Sequence, residues 1–416
     1  MKSDKTILAQ DYVIEGGVGT LRPNDNVVGV GCSGVGKSLS LEYPTMLAME
    51  NASTIATFAK PVEGLRMAAS FREKGYDVQI CNLADPEQSD VSFDLMDYLL
   101  SFDDISAICD QIVTSVLKKT NDDYWNGKAK SLLGGLIAAV MLTVDSPSWT
   151  DVLDMFNKLT TNSKGDGFVS DLDKVFRELE TYDPNCYAVR EYKAFSMLPF
   201  RTASCVRDTL AAVLSNVFPE SVRQGMRNLP SIRFERLAQK KTALFIIVNP
   251  VNSAMFNFAN LIYDTAIKSL LEYSQTFDDG KLPIPVRLFF DDFACSAPVK
   301  AFPQQISIFR AAGLSVMLLL QSESQLQKLY GEDDATTILN NCSTYVYFPG
   351  GMDRKTCRHV AERMNLPMEE VMYAPIGRVF IMQSGKKPVI KNRYDIFSDA
   401  KFIEMMSHSA SQPNIR

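Results

Sequence analysis

One stretch limits what this chain can fold into more than any other: Gly31-Cys32-Ser33-Gly34-Val35-Gly36-Lys37-Ser38. It fits G-x-x-x-x-G-K-[ST], in which a glycine-rich turn wraps phosphate oxygens with backbone N–H groups. Its flanks supply the parts that such a turn needs. Asn26-Val27-Val28-Gly29-Val30 reads as a short buried strand. Leu39 to Met49 reads as a helix in which Pro44 has to be accommodated. A strand, a turn and a helix N-terminus in this order aim several N–H groups and a helix dipole at one anion. A chance glycine-rich turn would lack that order. Lys37 is placed to reach the β/γ-phosphates of a nucleotide such as ATP, and the Ser38 hydroxyl to ligate Mg²⁺. Gly31, Cys32, Ser33, Gly34, Val35, Gly36 and Leu39 complete the expected binding loop.

The pattern around the loop is α/β. Ser53 to Phe58 and Asp77 to Leu83 read as strands, with a helix over Val62 to Lys74 between them. Strand, helix and strand with short links predict a parallel sheet. From Phe102 to about Arg236 the chain changes character. Asp104–Lys118, Trp125–Val144, Trp149–Leu159, Gly167–Thr181, Ala188–Phe195 and Ala203–Val217 all carry apolar residues at helical spacing. The strand signal returns with Thr242–Val248, Val286–Phe290, Leu314–Leu320 and Thr344–Phe348, and later with Arg378–Met382 and Pro388–Ile390. Continuous apolar runs of this kind suit strands buried on both faces. A helix over Phe256–Tyr273 and another ending near Ala312 fall between them. The expectation is an α/β P-loop domain over 1–100 and 237–416, with a mostly parallel sheet. An all-helical domain is inserted at 101–236, and a mobile tail covers 407–416. Ahead of the loop, Thr6 to Ala9 reads as a strand and Gly16-Gly17-Val18-Gly19 as a turn.

Bulk properties narrow the function. The 416 residues allow two or three domains at ~100–200 residues each. A net charge of −6 argues against coating nucleic acid with the whole surface, though not against a local basic channel. No apolar run reaches the ~18 residues of a membrane span. The longest, Leu132 to Val144, reads as a buried helix. The start lacks the apolar core of a signal peptide. Eight cysteines without CxxC pairs fit reduced thiols in a cytosol. With only His359 and His408 present, a zinc site or a histidine triad is not expected, and Cys342, Cys357 and His359 read as core and surface residues.

A P-loop needs a second acid for its metal. Asp291 ends the apolar strand Val286–Phe290, the place of a Walker B aspartate, and Asp292 beside it could orient or deprotonate an attacking water. Taken alone, the pair could equally cap a helix. Gln321 ends the strand Leu314–Leu320, where a polar side chain enters the ligand crevice of a parallel sheet. It could bond the γ-phosphate or the water, or simply terminate a strand. Arg310, near a helix end, reads either as a solvated dipole partner or as a finger reaching a neighbouring subunit's nucleotide. The residues themselves do not choose between these.

Longer stretches resemble the TraG/TraD-like coupling ATPases of conjugative type IV secretion. They are Asn26–Ser38, Gly75–Val78 through Asn82–Ser89, Tyr124-Trp125, Lys241–Val248, Asp291–Ala294, Phe309–Ser315, Leu319–Leu326 with Leu329-Tyr330-Gly331, and Ile338–Cys342. The Gln321-Ser322-Glu323-Ser324-Gln325-Leu326 segment is the most specific. The resemblance implies a RecA-like nucleotide-binding domain with an all-helical domain inserted in it, and hexameric rings at the base of a secretion channel, which use ATP to recruit or pump DNA and attached protein. It implies an arginine finger at Arg310 and a sensor glutamine at Gln321. Three departures stand out. The family's membrane-spanning N-terminal part has no counterpart, as in a trimmed or soluble variant. Asp292 replaces the usual Glu, and misplacing a catalytic group by roughly 1 Å can cost about 100-fold in rate. The family's Asp-Pro-Lys-Gly is replaced by Ala59-Lys60-Pro61-Val62-Glu63-Gly64.

Tyr187, Arg190, Tyr192, Lys193, Phe195, Phe200, Arg201 and Arg207 interleave aromatic and basic residues, as stacking on single-stranded DNA requires. An amphipathic helix with basic outer positions would give the same pattern. Two functions follow. One is an ATP-driven ring admitting single-stranded DNA or a DNA–relaxase complex, with secretion-channel proteins as partners. It would be a homo-hexamer, or a monomer without DNA or the membrane part, at the inner face of a bacterial plasma membrane. The other is a nucleotide-gated docking platform for secreted proteins that hydrolyses ATP poorly. A generic P-loop kinase is disfavoured by the inserted helices and the Gln321 segment.

Overall fold

The computed structural model describes residues 4–16, 23–99, 101–116, 123–159, 162–164, 167–249, 251–293 and 298–408. The expected turn at Gly17-Val18-Gly19, the helix end at Lys118, Ala294 and the tail beyond His408 lie outside them. The chain divides into two compact units. One comprises Met1–Ala84, Arg233–Val251 and Tyr263–Arg416; the other comprises Asp85–Ile232 and Asn252–Ile262.

The first unit is built on a nine-stranded sheet. In chain order the described strands are β1 (Lys5–Ala9), β2 (Tyr12–Glu15), β3 (Val27–Val30), β4 (Ser53–Phe58), β5 (Asp77–Asn82), β6 (Asn162–Lys164), β7 (Gly167–Val169), β8 (Thr242–Ile247), β9 (Val286–Phe290), β10 (Leu314–Leu320), β11 (Thr344–Tyr347), β12 (Arg378–Gln383) and β13 (Val389–Asn392). The sheet order is β13-β12-β11-β3-β10-β9-β4-β8-β5. From β11 to β5 all neighbours are parallel, and β12 and β13 add an antiparallel edge. This is the mostly parallel RecA-like arrangement. Strands β3, β4, β8 and β9 are buried at every position, as continuous apolar runs demand.

Register aligns the strand ends that matter. Val30 of β3 pairs with Leu320 of β10, and Phe290 of β9 with Leu318. The segments following these strands therefore share the carboxyl edge of the sheet. Helix Pro61–Glu73 covers one face, where Phe71 meets Phe245 edge-on with ring centroids 5.3 Å apart. The antiparallel hairpin β1–β2 is a separate small sheet. Asp4 ahead of it accepts the backbone N–H groups of Glu50, Asn51 and Ala52. The expected single helix ending near Ala312 is three short pieces, at Phe302–Gln305, Ile306–Ile308 and Phe309–Ala312, with Gly313 in the left-handed region at φ 84°.

The second unit is helical, with described helices at Phe102–Val116, Asp123–Thr143, Trp149–Asn157, Leu172–Tyr182, Tyr187–Ser196, Phe200–Val217 and Glu220–Asn228. Among its described residues it also holds the small hairpin β6–β7. The helix expected from Gly167 starts instead at Leu172, where the Ser170 N–H donates to Asp173 Oδ2 at 2.9 Å and closes the first turn. The apolar stretch within Asp123–Thr143 is core: Leu132, Leu133 and Leu136 to Val140 are fully buried. Trp149, also fully buried, stacks on Phe218 at 4.9 Å, and its backbone N–H donates to Asp94. Among the described residues no helix is long and apolar enough to cross a membrane.

Candidate nucleotide site

The loop after β3 has the conformation its glycines permit. Gly34 and Gly36 adopt φ of 83° and 86°, in the left-handed region that suits glycine. A Cβ on Gly31 would lie 2.7 Å from the Phe348 carbonyl oxygen, so only glycine lets β3 leave the sheet here. Ser33 and Gly34 are exposed at the tip, while Val35 and Lys37 are buried. Lys37 Nζ folds into the loop and donates to the carbonyls of Gly31 at 2.7 Å and Cys32 at 3.2 Å. Leu39 packs on the sheet core.

The helix after the loop does not start as a regular α-helix. Residues Ser38–Glu42 form a wide turn in which the Tyr43 N–H donates to the Ser38 carbonyl, and Tyr43–Leu47 then continue as α-helix. Pro44 supplies a reason: it has no N–H to give and its ring obstructs the regular bond to the preceding turn.

Four of the expected groups meet at the carboxyl edge. Ser38 Oγ lies 3.2 Å from both Asp291 carboxylate oxygens. Gln321 Nε2 donates to Asp292 Oδ1 at 3.3 Å. Asp292 has φ 53°, a left-handed conformation that aspartate tolerates better than most residues. Burial, then the neighbouring charge of Asp292, pushes the Asp291 carboxyl up to about 6, against the opposing effects of Lys37 and the Ser38 bond. Arg310 is not brought to this edge. It is exposed in the short helix that precedes β10, at the opposite end of the strand from Gln321. Seven strand residues at about 3.3 Å each place it roughly 20 Å from its own loop.

Two further groups touch the loop without having been expected. Arg393 Nη1, just past β13, donates to the Val35 carbonyl at 2.7 Å, and a Cβ on Gly36 would lie 2.8 Å from it. Gly350, after β11, is packed so that an added Cβ would stand 3.1 Å from Val35 Cγ1. A lone arginine gives no sequence signal. The Gly350-Gly351 pair after an apolar strand was the readable hint.

The aromatic and basic residues of the second unit are largely engaged inside it. Tyr192 is buried, stacks on Phe176 at 3.8 Å and donates to Asp173 at 2.9 Å; Phe195 is fully buried. Lys193 pairs with Glu180, and Arg207 Nε donates to the Leu159 carbonyl at 2.8 Å. Arg190 and Arg201 are exposed, with Arg190 lying over the Tyr187 ring at 5.9 Å. The described cysteines are free thiols, Cys342 and Cys357 are buried, and no group of three His, Cys, Asp or Glu among the described residues is set to hold a metal ion.

Comparisons with known proteins agree with this fold. The chain is similar in fold to the bacterial conjugative coupling protein TrwBdeltaN70 in a trigonal form with sulphate, at TM-score 0.68 and 18% identity over 89% of this chain and 86% of that one. The plasmid coupling protein TrwB in complex with ADP and Mg2+ aligns at TM-score 0.65 and 18% identity, covering 89% and 85%. VirB4 of Thermoanaerobacter pseudethanolicus aligns at 0.57 and 12%, covering 96% and 98%. No curated protein matches the chain. The family described as type IV secretory system conjugative DNA transfer matches residues 3–365. On that match, spanning most of its length, the chain belongs to the type IV secretory system conjugative DNA transfer family.

Proposed function

We propose that the chain is the coupling ATPase of a conjugative type IV secretion system, a ring that binds ATP and Mg²⁺ to recruit or translocate DNA and attached protein. The observation that carries this reading is the approach of Ser38 Oγ to Asp291, 3.2 Å to each oxygen, beside Lys37 on the same loop. Two oxygens bound cis on an octahedral ion with bonds of about 2.1 Å stand about 3 Å apart, so the pair suits one shared magnesium. TrwB has been solved with ADPNP and with ADP and Mg2+, which supports the same ligands here. Ser38 and Asp291 would hold the magnesium, which would supply positive charge against the charge developing on the phosphates. Loop N–H groups would hold the phosphates, and Lys37 would exchange the Gly31 and Cys32 carbonyls for phosphate oxygens. Asp292, positioned by Gln321, would orient the attacking water. Arg310, a strand's length from its own loop, would serve the nucleotide of a neighbouring copy.

The alternative is a nucleotide-gated platform that docks secreted proteins and hydrolyses ATP slowly. It is favoured by the short acid at Asp292 and by the internal engagement of Tyr192, Phe195 and Arg207. ATPase rate with and without single-stranded DNA separates the two. The motor predicts strong stimulation that Lys37→Ala abolishes. Absence of any DNA effect, with tight binding of a secreted protein, selects the platform. Asp292→Glu is expected to raise turnover several-fold; an unchanged or lower rate would remove Asp292 from the water-orienting role.

A further inference from the structure

Glu42 lies in the wide turn directly behind the loop, four residues after Ser38, and the spacing puts both side chains on neighbouring positions of one helical face. It is 1% exposed, and among the described residues neither carboxyl oxygen has a hydrogen-bond partner. Buried polar groups are almost always bonded, and a buried carboxylate with nothing to accept is costly. The groups around it offer no relief. Burial, then the charges of Asp291, Asp292 and Glu63, hold its carboxyl well above the usual range. Tyr43 spends its hydroxyl on Glu63. Tyr263, which senses the charges of both Glu42 and Asp291, spends its hydroxyl on Phe289 and Thr57. A cation would relieve a buried acid that has no hydrogen-bond partner and feels the charges of Asp291, Asp292 and Glu63, and Ser38 and Asp291 are where one would sit.

We propose that Glu42 is an outer-shell acceptor for the cation at Ser38 and Asp291, taking a hydrogen bond from a metal-bound water. The proposed link runs through water; among the described residues no three His, Cys, Asp or Glu side chains form a direct ligand set. Magnesium keeps several waters when bound by one or two protein oxygens, and outer-shell partners commonly change metal affinity 10–100-fold. The wide turn gives Glu42 this position, and turns of this kind recur at functional sites. The inference rests on the reading of Ser38 and Asp291 as the metal pair.

The test is Mn²⁺ binding to the full chain, read from the electron paramagnetic resonance of free Mn²⁺ in the presence of ADP. Glu42→Gln is expected to weaken Mn²⁺ binding about 10-fold, with ADP affinity in metal-free buffer unchanged. Mn²⁺ affinity unchanged in Glu42→Gln but lost in Asp291→Asn would overturn the proposal and leave the metal pair standing. Unchanged affinity in both would overturn the pair as well. Glu42→Met, apolar and of similar length, gives the same readout if the glutamine variant does not fold.

Discussion

The first unit buries two glutamates under opposite terms. Glu323, two residues past Gln321, has a side chain 1% exposed and fully partnered. It accepts from the Tyr345 hydroxyl at 2.9 Å and from Arg363 at 3.0 Å, and its second oxygen lies 2.5 Å from His359 Nδ1. Its own N–H donates to Thr356 Oγ1 at 3.0 Å. Glu42 is equally buried and has none of this. Charge in the interior is tolerated where partners surround it. Glu323 is thus a structural acid that ties the Gln321 segment to helix Arg354–Met364. Glu42 has the environment of an acid whose partner comes from outside the chain. Burial alone does not separate the two, and inspection of hydrogen-bond partners does.

The largest test of this contrast is Glu323→Ala. It strands Arg363 and His359 and should cost about 3–5 kcal/mol, read by urea denaturation. A loss below 1 kcal/mol would show the cluster to be ornamental. Next, Asp291→Asn should stabilise the metal-free protein by about 1–3 kcal/mol at neutral pH. The sign follows from proton binding. Folded Asp291 keeps its proton up to about pH 6, against 3.8 for a free aspartate, so the wild type loses stability as pH rises through that window. The advantage of asparagine should therefore be absent near pH 3, grow between about 4 and 6, and stay level above. Thermal melts across pH check it, and a flat difference would mean Asp291 is not strained by its neighbours. The smallest effect belongs to His359→Ala, since the ring is 33% exposed: about 1 kcal/mol, with Glu323 still held by Arg363 and Tyr345.

How much of this was legible varied with the kind of burial. The strands Ser53–Phe58, Val286–Phe290 and Leu314–Leu320 stand where the apolar runs put them, because burial on both faces leaves an unbroken signal. β2 escaped notice because its residues alternate between half-buried and exposed, and β6 is mostly polar. The helices Glu323–Tyr330, Glu332–Asn340 and Arg354–Met364 give no clear signal either, since polar and charged residues together outnumber the few that face the core. At the site, Ser38, Asp291, Asp292 and Gln321 were readable because each follows a strong local pattern, and the fold brings them to one edge. Glu42, Arg393 and Glu323 were not. Nothing in a local window says that a charged side chain will be buried, since its surroundings are assembled from β9, β11, β13 and helices far away in sequence.

The proline behind the loop has a consequence for phase. An α-helix advances about 100° per residue, so one extra residue in a turn re-clocks everything that follows by about that angle. Here the extra residue falls between Ser38 and Tyr43. The loop and the rest of the helix therefore answer to two different wheels: Ser38 is aimed by the phosphate-binding turn, while Met46 and Leu47 are aimed by the sheet core that buries them. The turn is a gearbox between those two demands. An insertion or deletion in Leu39–Tyr43 would be felt as a rotation of one set of side chains against the other, even if every residue kept its chemistry.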